Sequence, residues 1–102
     1  MGDGIRILVY VPAEYPKIVD LGKYMSKRFG DKVVVSSELE DQLNNHNYDI
    51  VVDTSPAIES DIKASILPTI EAMKCNRPCI VERVTEPNKF YLATARVINK
   101  FL

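Results

Sequence analysis

The chain is 102 residues long, 46% hydrophobic and 26% charged, with a formal net charge of −1. That length gives one domain with a single core, and the composition sets aside disorder as the state of any long segment. The balance of charge provides no strong field of the kind that draws nucleic acid, and no apolar run approaches the ~20 residues of a membrane-spanning helix.

Met1-Gly2-Asp3-Gly4 has neither the basic start nor the long apolar stretch of a signal peptide. Arg6 stands where a myristoylation motif carries Ser or Thr. Residues 5–11 then read as a first strand, followed by the loop Pro12-Ala13-Glu14-Tyr15. Pro16 suits a first helical position, because its missing N–H would be unpaired there. Ile18, Leu21, Met25 and Phe29 recur at helical spacing, with Lys17, Lys23 and Lys27 off that stripe. Gly30 is expected to close this helix in a left-handed conformation.

Residues 32–36 form the second predicted strand. Ser37-Glu38-Leu39-Glu40 reads as a capping box opening a short helix whose apolar face is Leu39 and Leu43. That helix decays into Asn44-Asn45-His46-Asn47, which is turn chemistry. Residues 49–54 are the third strand, and Ser55-Pro56 reads as a cap followed by a first-turn proline. The next helix is striped by Ile58, Ile62, Ile66 and Ile70, and Pro68 inside it predicts a kink or break near Leu67. Residues 78–84 are the fourth strand. A last helix follows Thr85-Glu86-Pro87 and is striped by Phe90, Val97, Ile98 and Phe101.

The order is therefore βαβαβαβα. All four strands hold continuous apolar runs, which marks strands covered on both faces and hence a parallel sheet. The expected fold is a three-layer α/β domain spanning 1–102, with right-handed crossovers and strand order 2-1-3-4. The alternative is a ferredoxin-like βαββαβ arrangement with a C-terminal helix, in which the segment 39–47 would be a loop. Residues 5–46 and 48–101 share a plan, with Pro12-Ala13 and Pro56-Ala57 at equivalent places, so an internal duplication is a further expectation. The predicted core includes Ile7, Val9, Leu21, Met25, Val34, Val51, Ile62, Ile80 and Val97.

Cys75 and Cys79 are separated by three residues and His46 is the only histidine. That is not the spacing of a redox pair or a zinc knuckle, and no metal or other cofactor is expected. Cys79 reads as a buried core thiol. The lack of a disulfide framework fits a reducing, cytoplasmic setting. Charge is segregated along the chain: residues 33–62 hold seven acids and no Lys or Arg, between flanks of net +2 and +4.

In open parallel sheets ligands bind beyond the carboxyl ends of the strands, where strand order reverses. Here that places Glu14, Tyr15 and Lys17 near Asp53, Thr54 and Ser55, with Glu82 and Arg83 closing the far side at the end of strand four. Two hydroxyls beside a helix start could hold a phosphate or carboxylate, with Lys17 offsetting the charge of Asp53. No Walker or dinucleotide glycine motif accompanies them. No catalytic set assembles either, because His46 sits in a turn and nothing fixes the distance between Glu14 and Asp53.

In size and alternation of elements the chain resembles the cellobiose-type IIB components of sugar phosphotransferase systems, and also response-regulator receiver domains. The first likeness would imply a nucleophilic cysteine just after strand one, where this chain has Pro12-Ala13-Glu14. A receiver would carry an acidic pair near Tyr10-Val11-Pro12 and a phospho-acceptor acid at the end of strand three, and only the latter, Asp53, is present. The resemblance implies a shared fold plan and transfers no activity.

The function expected is that of a small non-enzymatic interaction module. It would bind a protein or peptide partner, or a second copy, along the second strand and helix at Val33, Val35, Leu39 and Leu43. The alternative is a flavodoxin-like domain binding a small anion or nucleotide at Asp53-Thr54-Ser55. Membrane and nucleic acid are not among the expected partners.

Overall fold

In the computed structural model, residues 5–58, 62–74, 79–86 and 89–102 are described, with side chains left aside at 62–66. The elements run β1 (Ile7–Tyr10), α1 (Ile18–Phe29), a short 3-10 turn (Gly30–Lys32), β2 (Val33–Ser36), α2 (Leu39–Asn45), β3 (Ile50–Asp53), α3 (Ser55–Ile58), α4 (Ile62–Ala72), β4 (Ile80–Arg83) and α5 (Phe90–Asn99). They form one compact α/β domain. Its sheet is wholly parallel, in order β2-β1-β3-β4. The ferredoxin-like alternative is thereby set aside, because α2 is a helical crossover between parallel strands.

The register aligns Val9 with Val35 and Val52, and Tyr10 with Ser36 and Asp53. Side chains alternate across the pleat. Ile7, Val9, Ile50 and Val52 therefore meet α1 and α5 through Leu21, Met25, Phe90, Ala93 and Ile98. Leu8, Tyr10 and Val51 point the other way and meet Leu39, Leu43 and Tyr48. Both faces of β1 and β3 are covered, and all eight of their residues are buried. This explains why those strands read as unbroken apolar runs.

Several expectations are corrected at element ends. Helix α1 begins at Ile18, leaving Pro16 in the preceding turn. Gly30 does take a positive φ of 72° after that helix. No capping box forms at α2; Ser36 Oγ accepts the Glu38 N–H at 3.0 Å instead. Helix α4 continues through Pro68, which is buried. Pro87 and Cys75 lie outside the described residues.

The core expectation holds for Ile7, Val9, Leu21, Met25 and Val51, all fully buried. Val34 and Val97 are only half-buried, and Ile80 is 52% exposed. Ile80 aligns with Ile50 on the α1/α5 face, but β4 is a sheet edge and α5 lies against β3, so nothing described caps it. The Ile62 side chain is not among those described. Cys79 is half-buried, with its Sγ 3.2 Å from the Tyr48 carbonyl.

Candidate functional site

Asp53 closes β3 at the sheet's carboxyl edge and is completely buried, as are Thr54 and Ser55. A buried carboxylate demands partners, and Asp53 has them. Its Oδ1 accepts both the Ser55 N–H at 2.9 Å and the Ser55 hydroxyl at 2.7 Å. Its Oδ2 faces the Arg83 guanidinium at 3.1 Å. Asp53 thus does the work expected of Ser55, holding the first N–H of α3. Thr54 Oγ1 donates to the Tyr10 carbonyl at 2.7 Å, tying β3 to β1.

Arg83 is the cation that meets Asp53, the role expected of Lys17. Register explains this: Asp53 and Arg83 are directly aligned across the β3–β4 ladder. The other side of the guanidinium donates to Thr69 Oγ1 of α4 at 3.0 Å. One chain of polar contacts therefore links β3, α3, β4 and α4. Burial raises the Asp53 carboxyl above its usual value, against the opposing pull of the Ser55 bonds and Arg83.

The remaining residues expected here turn elsewhere. The loop after β1 folds toward α5, where the Tyr15 ring stands edge-on to Phe90 at 5.4 Å. Tyr91 stacks at a tilt on Tyr24, also at 5.4 Å. Its hydroxyl is pushed up to about 12 by burial and by a hydrogen bond with Tyr15. Glu14 and Lys17 are exposed, and no bond among the described residues joins either to Asp53. The sequence therefore brought together Asp53, Thr54 and Ser55 and set Arg83 on the far side of the same edge, but it did not show that Arg83 rather than Lys17 pairs with Asp53, nor that Thr69 joins them. Tyr48 was also missed. It is buried at the opposite end of the sheet, bonded to Gln42 Oε1 at 2.7 Å and covered by the Arg6 guanidinium 5.4 Å from its ring centre.

The second candidate region is the β2 edge. Val33 is 4% exposed and Leu39 3%, while Val35 and Leu43 are half-buried. These side chains belong to the core rather than to an open apolar patch. What is open is the backbone. Ser36 O accepts the Val11 N–H at 3.1 Å, so Val34 and Ser36 direct their peptide groups to β1. Alternation then directs those of Val33 and Val35 outward. Beside them lies a groove of about 450 Å³ lined by Arg6, Gly22, Ser26, Gly30, Asp31 and residues 33–35. It is open because the α1 residues next to β2 are small: a Cβ added at Gly22 would sit 4.0 Å from that of Val35.

Compared with protein-family models, curated proteins and solved structures, the chain matches none significantly. Among the described residues no helix is long and apolar enough to cross a membrane.

Proposed function

We propose that this domain is a small interaction module that takes a segment of a partner as an added strand along β2. The observation that carries this reading is the outward row of Val33 and Val35 peptide groups at an edge that no described residue pairs. An unpaired edge is a template for a further strand. The groove beside it gives alternate side chains of such a segment somewhere to sit. Edge β4 is a weaker candidate, because Arg83 is held by Asp53 and Thr69 and half of that strand's residues are polar. The anion-binding alternative has less support, since the Thr54 and Ser55 hydroxyl protons and both Asp53 oxygens are already engaged internally.

The test is selection of extended peptides from a random displayed library, followed by amide hydrogen exchange on the complex. Bound peptide should slow exchange at the Val33 and Val35 amides. Val35→Pro, which removes an outward donor without touching the ladder to β1, should abolish binding while circular dichroism stays native. Selected peptides that leave the Val35 amide unprotected would refute the reading. A melting temperature raised by phosphate, sulfate or mononucleotides would favour the anion alternative.

A further inference from the structure

The two outer layers of the sheet carry opposite charge, and each presents apolar side chains amid that charge. On one side, α2 and α4 flank a groove of about 300 Å³ lined by Ser37, Glu38, Leu39, Glu40, Asp41, Leu67 and Glu71. Glu38, Glu40 and Asp41 are exposed, and among the described residues none of them has an ion-pair partner. Glu71 is taken by Lys74 at 3.1 Å. Placing acids at the start of α2 suits its dipole, but that does not account for what lies next to them. Leu67 lines the groove, and Ile70 on α4 and Met73 just past its end continue the apolar surface away from it, at 40%, 46% and 81% exposure. Water-facing apolar residues at consecutive turns, next to acids that have no ion-pair partner among the described residues, are the composition of a contact surface.

On the opposite layer, α1 presents the complement. Val19 is 64% exposed, and Lys23 and Lys27 follow it on the same helical face. Asp20 borders that face at the start of the helix. The result is an apolar anchor followed by two lysines, one helical turn apart.

We infer that the α2/α4 groove receives helix α1 of a second copy of this chain. Val19 lies against the Leu67–Met73 strip, and Lys23 and Lys27 meet Glu38, Glu40 and Asp41. Because the two surfaces lie on opposite faces of one sheet, each copy uses both, and association is head-to-tail. Such a contact passes from copy to copy, into a ring or an open chain larger than a dimer. It uses neither the outward β2 amides nor the Asp53 network, so it stands or falls apart from strand addition.

The experiment is sedimentation velocity on the full chain over a wide concentration range. At about 20 mM salt, where screening acts over about 20 Å, the average mass should climb past that of a dimer. At about 0.3 M salt the association should weaken roughly tenfold or more, as expected when charge steers a contact. The pairs Lys23→Glu with Lys27→Glu, and Glu40→Lys with Asp41→Lys, should each abolish self-association at low salt. An equimolar mixture of the two variants should restore it, since every interface again joins opposite charges. Met73→Glu, at a site 81% exposed and away from the start of α2, should weaken association at least tenfold even if the α2 pair perturbs folding. A wild-type chain that stays monomeric at low salt, a plateau at the dimer, a mixture that fails to associate, or an unaffected Met73→Glu variant would each overturn the inference.

Discussion

Replacing Asp53 tests whether the carboxyl edge of the sheet is built for stability or held for a ligand. In Asp53→Ala the Ser55 N–H and the Ser55 hydroxyl lose their acceptor inside a region with no solvent access. Orphaning a buried donor costs about 1–3 kcal/mol each. The Arg83 side chain is 37% exposed, so its freed end reaches water and adds less than about 1 kcal/mol. The sum, about 2–7 kcal/mol, is a large part of the ~5–15 kcal/mol that holds a domain together. Asp53→Asn keeps an acceptor for Ser55 and removes a buried charge, so its cost at neutral pH should stay below about 2 kcal/mol.

The pH dependence separates charge from hydrogen bonding. Burial raises the folded Asp53 carboxyl above its value of 3.8, so between the two values the folded chain binds more protons than the unfolded one. This group's contribution to stability therefore falls as pH rises from about 3.8 through the folded value, and is constant above it. Wild type should gain on Asp53→Asn as pH is lowered through that window. Urea unfolding followed by circular dichroism, with both variants run across pH, measures every term. A loss under about 1 kcal/mol for Asp53→Ala would refute the structural assignment and return Asp53 to the candidate ligand residues.

Val51→Ala removes two methyl groups from the wholly buried centre of the sheet, against Leu8, Leu39 and Tyr48. It should cost about 1–3 kcal/mol in the same denaturation assay, and no loss would place β3 outside the core. Tyr91, raised to about 12, favours its neutral form in the folded chain, so the stability it contributes is lost as pH rises from about 10 through about 12. Tyrosinate absorbance during alkaline titration should show a late step that Tyr91→Phe removes, and a profile unchanged by that substitution would contradict the assignment.

The fold was legible because the strands between two helical layers have no polar side to alternate. Ile-Leu-Val and Ile-Val-Val advertised burial on both faces, and burial on both faces fixed a parallel sheet. The same rule misled at Ile80. An apolar run in a fourth strand says nothing about how far the last helix covers it, and Ile80 is left 52% exposed. At the site, Asp53-Thr54-Ser55 stood out from chain order alone. Its pairing did not, because Arg83 and Thr69 are 30 and 14 residues from their respective bonding mates, Asp53 and Arg83. The choice between Lys17 and Arg83 depended on knowing that Asp53 and Arg83 share a rung of the ladder. The β2 edge was legible as an edge, but its side chains were not. Val33 is buried and Val35 half-buried against the core under α1, so the edge offers their peptide groups and the open groove beside Gly22 and Ser26.

Among the described residues β4 pairs on one side only, and its first residue is 52% exposed, yet its end, at Arg83 and Val84, is held at three points. Arg83 grips Asp53 and Thr69, and the next amide, that of Val84, bonds to the Asp53 carbonyl at 2.9 Å. At the other end the hold is weaker, the Ile80 amide on the Asp49 carbonyl at 3.3 Å and Cys79 Sγ on the Tyr48 carbonyl at 3.2 Å, so the strand should open from that end like a zipper. Its amides should therefore exchange in sequence, the Ile80 amide first and the Val84 amide last, with the opening halting where the salt bridge stands. The central strands, closed on both sides, would remain protected until the whole domain unfolds. The ion pair beside the sheet's carboxyl edge thus acts as a brake on local opening and keeps the cheapest excursion of the native state confined to one end of one strand.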